Sequence, residues 1–247
     1  MSSTSDYTPY PYQRFKISAD KYSQKRIKDL SRIRRELQDD YTIPISFVVY
    51  GSLTKGKILN KKLAREADID FSVFYDIDDI NISELVKKFE INGDLDPELL
   101  LGNHIVSDLR QRLMRCDLTE NQLDNIWSYP VTTALISDRI DSIKPNIKNW
   151  SSEELHDDFI SSDQDLWALV RMFYLDIGNN LTSRKLELLN DLKSRGEFGE
   201  LLWEYLNMII KDQERQDNIT YEVSVEYPDS LQEAIKKYTS NDWMENE

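Results

Sequence analysis

Residues 68–75, Asp-Ile-Asp-Phe-Ser-Val-Phe-Tyr, limit what this chain can fold into more than any other stretch. Ile69, Phe71, Val73 and Tyr75 alternate with Asp68, Asp70, Ser72 and Phe74, which is the two-residue period of a strand. Side chains two apart along a strand share a face, so the period sets Asp68 and Asp70 side by side, roughly 7 Å apart. Adjacent anions repel and raise each other's pKa. A divalent cation between them removes that cost, and Mg²⁺ is usually held by one or two carboxylates together with substrate phosphates.

Upstream, residues 43–50 form an apolar, β-branched and aromatic run that reads as a buried strand. It ends at Gly51-Ser52. Glycine lets the backbone approach a ligand closely, and backbone N–H groups with a small hydroxyl can hold phosphate oxygens. Strand, Gly-Ser turn and Asp-x-Asp strand, in this order over residues 43–75, resemble the nucleotidyltransferase superfamily that includes DNA polymerase β. The resemblance implies that Gly51 and Ser52 bind a nucleoside triphosphate such as ATP, and that Asp68 and Asp70 bind Mg²⁺ or Mn²⁺. Lys55, in the loop beside them, would assist the leaving pyrophosphate. Two features depart from the family pattern. Residues 53–67, fifteen in all, separate Ser52 from Asp68, a little more than usual, and Ala67 stands where many members carry Ser. Many members also place a third acid on a later strand, as metal ligand or base. Asp138, just after the apolar run at 131–137, is the first candidate here, and Asp94 and Asp96 are the second. Asp138-Arg139 also reads as a surface ion pair.

Length allows one large domain or two small ones. No apolar run approaches a membrane span, and residues 1–12 lack the apolar segment of a secretory signal. A single cysteine, Cys116, excludes an internal disulfide or a cysteine metal cluster, and two histidines argue against a histidine zinc site. A cytoplasmic protein is the default reading. Net charge is −14, yet residues 11–66 hold 14 Lys and Arg against 6 Asp and Glu, a local balance of +8. The overall sign disfavours a general nucleic-acid binder, whose affinity comes from neutralising phosphates. Lys25 to Arg35 is either a solvated helix face or a docking face for RNA, and Lys55, Lys57, Lys61, Lys62 and Arg65 are placed to attract phosphate or simply to be solvated.

The periodicity predicts a helix over 18–37, the two strands above, a short helix from Ser83, helix over 97–127 and a third strand over 131–137. Lys144-Pro145-Asn146 reads as a break. The expected fold is therefore α+β, with a small mixed-sheet nucleotidyltransferase domain over 1–145 and an α-helical domain with an acidic tail over 146–247. Within the latter, Ser151 and Ser162 look like helix starts, and the stripe from Leu166 to Ile177 reads as one helix stopped at Gly178. Helices follow over 182–192 and 199–211, broken at Gly196. A late strand at 219–227 and a final helix from Ser230 close the chain. Leu181-Thr182-Ser183-Arg184-Lys185-Leu186-Glu187 and Gly199-Glu200-Leu201-Leu202 resemble a helix pair of aminoglycoside nucleotidyltransferases, or are plain core packing. The acceptor is then a small molecule or a protein hydroxyl in preference to tRNA. The acidic run from Glu153 to Asp165 suits a cationic small molecule, and equally suits helix starts and solubility. The alternatives are a tRNA-modifying or toxin-type enzyme, or a nucleotide-binding module that has lost turnover.

Overall fold

Apolar side chains at three- and four-residue spacing produce the first helix, α1 (Lys21–Tyr41), in which Ile27, Leu30, Ile33, Leu37 and Tyr41 are buried along one stripe. Asp20 opens it, its carboxylate accepting from the backbone N–H groups of Tyr22 and Ser23, donors that have no partner within the helix. The computed structural model describes residues 20–54, 65–123, 126–147, 164–212 and 230–239. Among these residues four strands follow in chain order: β1 (Ile45–Val49), β2 (Phe71–Asp76), β3 (Ile126–Val131) and β4 (Leu175–Ile177). They form one mixed sheet in the order β3-β2-β1-β4. β1 runs antiparallel to both β2 and β4, and β2 runs parallel to β3. The remaining helices are α2 (Ile82–Lys88), α3 (Pro97–Met114), α4 (Thr133–Ile147), α5 (Gln164–Arg171), α6 (Thr182–Ser194), α7 (Glu197–Asp212) and α8 (Leu231–Thr239). The fold is thus α+β, with eight helices among the described residues. None of them is long and apolar enough to cross a membrane.

Strand alternation divides the core in two. Phe47, Val49, Phe71, Val73 and Tyr75 share one core with Leu30, Leu37, Ile105 and Leu109 of α1 and α3. Val48, Phe74, Tyr129 and Val131 face the other way, into a core with Ile140, Leu169, Leu188, Trp203 and Leu231 of the later helices. Both halves of the chain therefore supply the sheet and its packing.

Several expected elements are corrected. The third strand lies at 126–131, not 131–137, because Ile136, Ile140 and Ile143 have helical spacing and are buried as one stripe of α4. Thr132 Oγ1 accepts from Leu135 N–H at 3.0 Å and starts that helix. Pro130 sits inside β3 opposite Tyr75, which is tolerated because β3 is an edge strand. The expected break at Lys144-Pro145-Asn146 falls inside the last turn of α4. The stripe from Leu166 to Ile177 divides: α5 ends at Arg171, and Leu175 and Ile177 alternate with Asp176 in β4. A short apolar run carries both periods, and here pairing with β1 decides. The helix expected over 97–127 stops at Met114, followed by a 3-10 turn at Glu120–Gln122 and then β3. By contrast α6 and α7 stand as expected around Gly196, and Ser230 Oγ accepts from Glu233 N–H at the start of α8. Ser151, Ser162 and residues 219–227 lie outside the described residues.

Two clamps join distant parts. Asn180 donates from Nδ2 to Gln38 Oε1 and to the Ile45 carbonyl, each at 2.9 Å, while Gly178, at φ 110°, lies against the Arg34 side chain. Arg184 of α6 reaches Asp76 through Nε at 2.8 Å and also pairs with Asp78 and Glu187. The α6–α7 hairpin is closed by a backbone contact: a Cβ on Gly199 would overlap the Leu192 carbonyl and stand 3.0 Å from Leu192 Cα. Backbone cannot rotate away as a side chain can. Gly199→Ala should therefore destabilise the protein by about 1–3 kcal/mol, which thermal unfolding followed by circular dichroism measures.

Candidate functional site

The end of β1 meets the start of β2 at Gly51. Tyr50 N–H donates to the Asp70 carbonyl at 3.0 Å, carrying the β1–β2 ladder one pair past its regular end. Gly51 then turns with φ 66°, inside a 3-10 turn at Gly51–Thr54. The Asp70 carboxylate packs onto this glycine: a Cβ at position 51 would overlap Asp70 Oδ2 and lie 3.0 Å from Cγ. Both the dihedral and the space demand glycine. The structure therefore brings Gly51 and Asp70 together.

Asp68 has other neighbours. The regular part of β2 begins at Phe71, so neither carboxylate lies within it. The segment before it is pinned to the 3-10 turn at Glu120–Gln122: Ile69 N–H donates to the Gln122 carbonyl at 3.0 Å, and Gln122 Nε2 donates to the Ala67 carbonyl at 3.2 Å. Asp68, exposed, lines a cleft with Lys25, Arg26, Arg65 and Cys116. Arg26 is buried and donates to the Arg65 carbonyl at 3.0 Å. Burial pushes its pKa down, with Asp20 and Asp68 acting against that.

On the sheet face that carries Asp70, the register sets Asp176, Val48, Ser72 and Trp127 in one row across all four strands. Tyr50 Oη lies 3.4 Å from Ser72 Oγ. Burial pushes the Tyr50 phenol up, opposed by Arg171 and by the Ser72 contact and reinforced by Asp70. Arg171, the last residue of α5, stands over this row. Its guanidinium carbon is 5.4 Å from the Tyr50 ring, 5.9 Å from Trp127, 5.7 Å from Tyr129 and 5.2 Å from Trp167, all within cation–π range. It also donates to Tyr129 Oη at 2.5 Å. At the far end of the row, Asp176 is buried, with Oδ2 accepting from Leu181 N–H at 3.1 Å. Lys185 is buried beside it and is pushed down to about 8 by burial, with Asp176 acting against.

The other sequence candidates fall elsewhere. The Ser52 side chain and Lys55, Lys57, Lys61 and Lys62 lie outside the described residues. Asp138 is exposed on α4, not on a strand. Its expected partner Arg139 is buried, donates to the Pro130 carbonyl at 2.8 Å and approaches Asp165 at 3.7 Å. Asp94 and Asp96 are exposed ahead of α3, where no strand forms. The described β3 positions beside Ser72 and Val73 are Trp127 and Ser128, neither an acid. Among the described residues no three His, Cys, Asp or Glu side chains gather as a metal group. Sequence reading missed Arg171, Asp176, Lys185 and Trp127. Asp176 was readable only once Leu175 and Ile177 are paired as a strand, and nothing local marks Arg171.

Compared with protein-family models, curated proteins and solved structures, the chain matches none.

Lys185 makes a pH prediction. A lysine whose folded pKa lies near 8, below its ordinary 10.5, binds fewer protons folded than unfolded between those values. Its contribution to stability therefore rises with pH across that window, and its cost is fully present below it. Lys185→Met should remove this rise. Urea unfolding of the parent and of Lys185→Met at pH 7 to 10.5 measures the effect.

Proposed function

We propose that this chain is a nucleotidyltransferase that moves a nucleoside monophosphate from a nucleoside triphosphate to a hydroxyl of a small molecule or protein. In this reading residues 1–145 carry the nucleotidyltransferase unit, residues 146–247 add β4 to its sheet and supply the helical unit, and the protein acts in the cytoplasm. The observation that supports it is the meeting of Gly51 and Asp70. A left-handed glycine turn at the end of one strand, pressed against a carboxylate at the start of the next, is what phosphate and metal binding at one point require.

The cradle fits Mg²⁺, which needs one or two carboxylates when substrate phosphates complete its shell. Asp70 is the ligand best placed, with Asp68 the second candidate. Mg²⁺ supplies charge neutralisation at the phosphates when bound. Gly51 gives the backbone close approach, and Arg171 holds a positive charge over the same sheet face.

A small or protein acceptor is favoured over tRNA by the pairing of the basic helix. On α1, Lys25 pairs with Asp29 at 2.8 Å and Arg32 with Glu36 at 2.6 Å, while Arg26 and Arg34 are buried. Those cations are largely spent on neighbours. The lack of an acid on the described part of β3 favours, as a second reading, a nucleotide-binding module without turnover.

Incubation with each labelled nucleoside triphosphate, Mg²⁺ and a cell extract tests the proposal. Label should pass to an acceptor, and Asp70→Asn should abolish transfer while leaving the thermal unfolding midpoint near that of the parent. Gly51→Val should likewise abolish it. Triphosphate binding without label transfer selects the second reading, and no triphosphate binding at all overturns both. Binding to total tRNA that weakens steeply with salt would move the acceptor to RNA.

A further inference from the structure

Trp127 is the exposed member of an otherwise enclosed group of rings. It remains 45% exposed on β3, while Tyr129 is 6% exposed and Tyr50 and Trp167 are half-buried. Arg171 lies against the Trp127 ring, and its own position is set by the hydrogen bond to Tyr129 and by the rings of Tyr50 and Trp167. The indole is thus braced from the protein side and open to solvent. A braced ring loses little freedom when a ligand stacks on it, which favours binding.

Its place relative to Asp70 gives the ligand. Trp127 pairs with Ser72, and Asp70 stands two residues before Ser72 in the chain. One strand spacing across and two residues along amount to roughly 8 Å between backbone positions. A group bound at Gly51 and Asp70 by its phosphates reaches Trp127 across about one sugar.

We propose that the open face of Trp127 is the stacking surface for the nucleobase of the bound nucleotide. This rests on the nucleotide reading above and adds the base site to it. Every base presents a π-face, so a bare indole platform accepts bases with little discrimination. It therefore separates nucleotides from inorganic polyphosphates, not one base from another. ATP and inorganic tripolyphosphate share the phosphate chain and differ in the nucleoside, which isolates the platform.

The test is calorimetric titration of the full chain with each of these two probes, in Mg²⁺ at fixed salt. The parent should bind ATP more tightly than tripolyphosphate. Trp127→Ala should weaken ATP by about tenfold, leave tripolyphosphate unchanged and leave the melting temperature near that of the parent, and Trp127→Phe should restore most of the ATP affinity. Equal ATP affinity in the parent and Trp127→Ala overturns the base site while leaving the nucleotide reading standing, as does an equal loss for both probes. A parent that binds neither probe overturns the nucleotide reading itself, and the base site with it.

Discussion

β1 has no face for solvent, and the rest of the molecule is arranged to supply it with neighbours. All five of its residues are buried. Ile45, Phe47 and Val49 enter one core with α1 and α3, and Val48 enters the other with the later helices. Strands buried on both faces read as continuous apolar runs, as this one does. Its two edges are filled by β2 and β4, one close in sequence and one remote. Every layer of the fold is therefore in contact with a strand five residues long.

That arrangement also explains where polar groups collect. A strand with apolar partners on both sides cannot carry charge along its length, so the chemistry gathers at its end and on its neighbours. Gly51 ends β1, and Asp70 and Ser72 lie on the adjoining β2 side. Asp176 enters from β4, buried, close enough to Lys185 for its charge to act on that lysine, and accepting from the Leu181 N–H. Arg171 approaches from α5 over a set of rings. A guanidinium is weakly hydrated and planar, which makes an aromatic enclosure tolerable for it where a lysine ammonium would lose more hydration.

Legibility in the sequence followed the range of the interactions involved. α1, the β1 run, α6, α7 and the start of α8 were readable, because each is set by residues within a few positions: the stripe at Ile27, Leu30, Ile33 and Leu37, or the serine at 230. Gly51 and Asp70 were readable as candidates because the turn and both strands are local. Their contact was not, since it depends on register. The errors came from runs that suit two states. The segment around Val131 and the one around Phe173 carry apolar residues compatible with either period, and only pairing with Tyr75 or with β1 separates them. For that reason Asp138 stands on α4 rather than at a strand end. Arg171 and Trp127 are 44 positions apart and have no common signal in a one-dimensional reading.

The position of β4 in the chain has a consequence for synthesis on the ribosome. β1 is complete at Val49, yet its second edge partner is finished only at Ile177. At ~5–20 residues per second this interval lasts on the order of ten seconds. During it the nascent chain presents an apolar strand with one row of backbone donors and acceptors unpaired, the kind of edge that recruits foreign strands. Asn180 and Gly178, the residues next translated after β4, tie its end to Gln38 and Arg34 of α1 and to Ile45 of β1. The second edge of β1 is therefore covered only once β4, the last strand among the described residues, has been translated.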